Sequence, residues 1–155
     1  LSDNRTTGEI AFGGGISTQR GTVTLSSSNV SNNRTTGGSG SGGGIYSLSG
    51  SVALTSSTVS GNRTAGDSSI GGGIFAVSAS VTLTDSSITN NSTGGNSSSG
   101  GGIFAATGNV TLNHSTVSGN RTAGTTARGG GIVAKANSVM MLGGTSVANN
   151  ATAAV

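Results

Sequence analysis

The 155-residue chain has no cysteine, no proline and no tryptophan, and only one tyrosine and three phenylalanines. Each absence excludes something. Without cysteine there is neither a disulfide framework nor a thiolate metal site. Charge is scarce too: seven Lys and Arg stand against four Asp and Glu, a formal net charge of +3. That excess is too thin for a nucleic-acid-binding surface. Equally, with 7% of residues charged, the chain lacks the strong net charge of a disordered segment. No apolar run approaches the ~20 residues of a membrane-spanning helix. The four acids, Asp3, Glu9, Asp67 and Asp85, form neither an acid–base cluster nor a repeated calcium-binding turn, so no metal or cofactor is expected. The opening "LSDNRTTGEI" has neither the basic nor the apolar region of a secretion leader, which fits a mature chain or a segment of a longer one.

What the chain does have is glycine, 30 residues of it, and strict repetition. The motif GGGI starts at Gly13, Gly42, Gly71, Gly100 and Gly129, always 29 residues apart. An alternating run follows at the same spacing: VTL at Val23, VAL at Val52, VTL at Val81, VTL at Val110 and VMM at Val139. A third mark is a row of asparagines, Asn4, Asn33, Asn62, Asn91, Asn120 and Asn150, each with Thr two residues later. Its last step is 30, because "LGGTSV" carries one more residue than "LNHSTV". Self-similarity at this period marks a solenoid or a propeller.

Within each repeat, apolar and polar residues alternate, as in Thr22-Val23-Thr24-Leu25-Ser26, which is the two-residue period of a half-buried strand. The runs are too short for a propeller blade. The pattern predicts an all-β, right-handed parallel β-helix, one domain over residues 1–155, with about five coils of three short strands each. Ile16 to Ile132, Val23 to Val139, Leu25 to Met141 and Val30 to Val147 should form four inward rows. The asparagines should form an internal amide ladder that satisfies turn carbonyls. The Asn-X-Thr triplets also read as glycosylation acceptors, which an inward ladder would close off.

In a solenoid, residues 29 apart are neighbours, so rows take the place of motifs. Two rows are candidate binding features. Tyr46, Phe75 and Phe104 follow the inward isoleucines and should face outward as an aromatic stripe, able to stack on sugars or dock a partner, or else to cover a seam beneath the Gly/Ser loop. Arg5, Arg34, Arg63 and Arg121 form a basic stripe interrupted by Ser92, suited to an anionic glycan or cell surface, or simply a solvated face. Ser56, Asp85 and His114 share a row but not the order of a catalytic triad, because the base does not lie between the other two. An exposed Asp85–His114 pair is the expectation there.

GGGI followed by VSNN, VSGN, ITNN and VSGN resembles the GGAI and FxxN repeats of chlamydial polymorphic membrane proteins, and more broadly the β-helical passengers of bacterial autotransporters and surface adhesins. The likeness covers essentially the whole chain, with Val or Ile where that family has Phe and Gly where it has Ala. It implies an exported protein, secreted or at the cell surface. The reading is therefore a non-enzymatic structural or adhesive module, a rod segment or filament-forming subunit. One alternative is an ice-binding solenoid, on the hydroxyl-rich outward face of Thr22, Thr24, Ser26, Ser51, Thr55, Ser80, Thr82, Thr84 and Thr111. Another is a carbohydrate-binding or carbohydrate-active β-helix. Head-to-tail self-association is expected, with Leu1 over Val147, Asn4 over Asn150 and Thr6 over Thr152.

Overall fold

The structure, a computed structural model of the chain, describes residues 1–136 and 139–153; Asn137, Ser138 and the last two residues of the 1–155 unit lie outside the described residues. The described residues form an all-β parallel solenoid. Three sheets run along it, and every strand pairs in parallel with its counterpart one coil away. The coils are thus about 4.8 Å apart along the axis.

The first sheet carries the VTL rows. In the second and third coils it is a single eleven-residue strand, Ile45–Thr55 and Ile74–Thr84. In the other coils it is split in two, as in Ile103–Ala105 and Val110–Asn113. Three strands per coil therefore holds for the middle of the rod, and four short ones elsewhere. The second sheet stacks Asn29–Ser31, Thr58–Ser60, Ser87–Thr89, Thr116–Ser118 and Ser146–Ala148. The third stacks six strands from Arg5–Thr7 to Ala151–Ala153.

The expected rows fill the interior. Ile74, Val81, Leu83 and Ile88 are fully buried, as are their counterparts Ile103, Val110, Leu112 and Val117 one coil on. Toward the ends the rows open: Ile16 and Leu25 are half-buried, and Val139, Met141 and Val147, in the last described coil, are exposed.

Sharp corners separate the sheets, and three columns of left-handed backbone make them. Asn32, Gly61, Asn90 and Gly119 alternate Asn and Gly, the two residue types that tolerate φ near +60° best, with φ of 56°, 64°, 56° and 65°. A second column, Ser27, Ser56, Asp85 and His114, holds φ of 46–49° without glycine. The third is the first glycine of each GGGI. In the second coil, Gly42 has φ 64°, while a Cβ on Gly43 would lie 2.7 Å from the Arg63 carbonyl carbon and one on Gly44 3.0 Å from the Asn62 amide carbon. The triplet is thus one residue for the turn and two for close approach.

Candidate functional site

The asparagine row faces inward, and Asn33, Asn62, Asn91 and Asn120 are fully buried. Each amide is saturated. Asn62 Nδ2 donates to Val30 O at 2.9 Å and to Asn91 Oδ1 at 3.0 Å, while Asn62 Oδ1 accepts from Asn33 N and Asn33 Nδ2, both at 2.9 Å. The threonine two residues on is also inside: Thr35 and Thr64 are fully buried, and Thr35 Oγ1 donates to Gly42 O at 3.2 Å. Thr64 Oγ1 and Thr93 Oγ1 lack a hydrogen-bond partner. With both ends of the Asn-X-Thr triplet enclosed, the four buried asparagines are closed to a glycosylating enzyme in the folded rod.

Sequence reasoning missed a second ladder. The hydroxyls of Ser57, Ser86 and Ser115 each accept one bond from the coil before: Ser28 N donates to Ser57 Oγ at 3.0 Å, Ser57 N to Ser86 Oγ at 3.1 Å and Ser86 N to Ser115 Oγ at 3.1 Å. Each hydroxyl then donates to the carbonyl two residues back, as Ser57 does to Thr55 at 2.7 Å. The signal was a Ser row at spacing 29, hidden among many other serines.

Between the inward Asn and Thr, the backbone alternation forces the arginine outward. Arg5, Arg34 and Arg63 are in direct register on the third sheet, and Arg63 and Arg121 both pair with Ser92 between them. All four arginines are exposed. The break at Ser92 is more than a missing charge: with Gly94 also lacking a side chain, a cleft of about 240 Å³ opens between Arg63 and Arg121. Arg63 Nη2 leans over Gly94, 3.6 Å from where a Cβ would be.

The aromatic row departs from expectation. Tyr46, Phe75 and Phe104 leave the coil interior but are not an exposed stripe: Tyr46 is 7% and Phe104 4% exposed, and Phe75 is half-buried. They stack edge to face, at centroid distances of 5.6 and 5.4 Å. What covers them is the Gly/Ser loop. Its row Phe12, Ser41, Ile70, Ser99 and Arg128 is bridged coil to coil, and Phe12 stacks on Tyr46 at 4.5 Å. Burial raises the Tyr46 phenol above its ordinary pKa, because desolvation disfavours the phenolate.

Asp85 and His114 are exposed neighbours in their left-handed column, but no ion pair joins them. The His114 ring lies instead against the next coil, its Cδ2 2.9 Å from where a Cβ on Gly144 would sit. The hydroxyl face of the first sheet is where the alternation puts it, with Thr22 and Ser51 hydroxyls 3.1 Å apart, and Ala53, Asn113, Met140 and Leu142 interrupt it. A more regular hydroxyl face lies on the second sheet: Thr58, Ser87, Thr116 and Ser146 in one column, and Ser31, Ser60, Thr89 and Ser118 in the next. Among the described residues, no helix is long and apolar enough to cross a membrane.

The fold makes this chain one of the parallel β-solenoids. Compared with known proteins, it matches no family model, no curated protein and no solved structure.

Proposed function

We propose that the chain is a structural and adhesive rod segment of an exported surface or extracellular protein, of the kind its repeats resemble. The single observation behind this reading is the direct register of Arg5, Arg34 and Arg63 on three consecutive coils beside the asparagine ladder. The inner amides stiffen the rod, and the outer cations present a periodic basic edge that attracts anionic glycans on a neighbouring surface. The first and last described coils also complement each other. Among the described residues, Asn4 Oδ1 accepts no hydrogen bond, and the Asn150 side chain donates only to Val117 O. A further coil, whether from the same polypeptide or from a second copy, would continue the ladder.

The test is retention on immobilised heparin, with Arg5, Arg34 and Arg63 replaced together by Ser. The unsubstituted chain should be retained at low ionic strength and released as salt shortens the screening length to about 8–10 Å. No retention at low ionic strength, or full retention of the triple variant, would overturn the adhesive part of this reading.

The second-sheet hydroxyl columns favour one further reading, an ice-binding face, since they repeat at one spacing with no charged residue among them. Thermal hysteresis measured on the purified chain decides it: freezing at the melting point eliminates the reading.

A further inference from the structure

The loop row covers the aromatic row through contacts 34 residues apart rather than 29. Phe12 lies on Tyr46 in this way, and the same offset sets Ile70 beside Phe104, where both line a cleft of about 320 Å³. Beside Ile70 the cleft is lined by Ser99, the next position of the loop row, which brings only a small side chain to it. Its chemistry belongs to this end of the rod. Of the seven Lys and Arg, three lie outside the arginine stripe, and two of those, Arg128 and Lys135, line this cleft. None of the four acids does. Ser97, Ser99 and Thr126 add hydroxyls, the first and last held 3.2 Å apart by a hydrogen bond.

We propose that this cleft binds an acidic sugar residue, a hexuronate, through its carboxylate. The planar Arg128 guanidinium can take the carboxylate in a bidentate pair. Lys135 supplies a second charge, and its ammonium lies 5.8 Å from the Phe104 ring centroid, where the ring quadrupole holds it at the rim. Phe104 is only 4% exposed, so it positions that lysine and is not itself a stacking platform. Ile70 offers an apolar patch to the C–H face of the sugar, and the three hydroxyls meet its ring hydroxyls. Ligand pockets run from about 300 to 1,000 Å³, so a cleft at the lower bound suits one sugar residue and not a nucleotide. The site is separate from the arginine stripe and does not depend on its role.

The experiment is titration of the uniformly ¹⁵N-labelled chain with sodium glucuronate, glucose and sodium acetate at fixed ionic strength, followed by amide shifts. Glucuronate should move the Ser99, Arg128 and Lys135 amides, and Arg128→Gln should weaken it roughly tenfold. Ser99→Ile places a second bulky aliphatic beside Ile70, its neighbour one coil earlier in the loop row; it leaves the charge unchanged and should abolish the response. The triple arginine-stripe variant should bind glucuronate normally. Glucose acting as strongly as glucuronate would overturn the carboxylate assignment, and acetate acting as strongly would overturn the sugar. Undiminished binding by Ser99→Ile or Arg128→Gln would remove the site itself.

Discussion

Replacing Asn91 by Ala tests whether the amide ladder holds the coils together or merely occupies the interior. The side chain makes four hydrogen bonds. Nδ2 donates to Val59 O at 2.9 Å and to Asn120 Oδ1 at 3.0 Å; Oδ1 accepts from Asn62 N at 2.9 Å and Asn62 Nδ2 at 3.0 Å. Asn120 Oδ1 would keep a donor, Asn91 N at 2.9 Å, so its loss is partial. Asn62 fares worse, with its backbone N–H and one amide hydrogen stranded in a fully buried site. At about 1–3 kcal/mol for each stranded donor, the cost is roughly 2–6 kcal/mol, a large share of the ~5–15 kcal/mol that stabilises a typical domain. Asn91→Asp should be worse still, since it sets a second carboxylate oxygen against Asn120 Oδ1 and Val59 O. Asn4→Ala is the control: Asn4 is exposed, and Asn33 Oδ1 keeps Asn4 N as a donor. Urea unfolding followed by circular dichroism gives the free energies, and native-state hydrogen exchange should show the Asn62 amide losing protection. Because stacked repeats can open locally, the exchange measurement is the more direct one. Costs for Asn91→Ala and Asn4→Ala within about 0.5 kcal/mol of each other would refute the ladder argument.

Two further outcomes follow from the core and the covered aromatic row. Leu83 is fully buried between Leu54 and Leu112, so Leu83→Ala should cost about 2–5 kcal/mol in urea unfolding, whereas Met141→Ala in the same row should cost far less because Met141 is 51% exposed. Tyr46 has a raised pKa in the fold because it is desolvated; the stability tied to its neutral form is fully present below the unfolded value of 10.0 and is lost as pH rises through the higher folded value. A melting temperature that falls in this alkaline range for the unsubstituted chain, and falls less for Tyr46→Phe, is the expected record; identical profiles would show the phenol to be solvated.

Much of the fold is legible in the sequence because a constant period turns chain position into spatial position. Once GGGI recurs every 29 residues, Leu54 must pair with Leu83, and Asn62 must follow Asn33. The two-residue alternation then decides which side chains go in. Two kinds of feature escape that logic. The serine ladder obeys the period, but serine is as much at home in loops and on outer faces as inside, so residue type gives no contrast. The covered aromatics do not obey it: Phe12 reaches Tyr46 across 34 residues, one coil plus the five residues that carry the chain from loop to strand. Rows read at 29 leave Phe104 open to solvent, while contacts at 34 place a loop over it. The same offset explains why the Gly/Ser loop is more than a spacer. It is a wall whose residues differ from coil to coil: Phe12 stacks on Tyr46, while Ile70 and Ser99 line an open cleft beside Phe104. Two of the three basic side chains off the arginine stripe, Arg128 and Lys135, line that cleft, which is why the acidic-sugar assignment rests on it and not on the aromatic row as a whole.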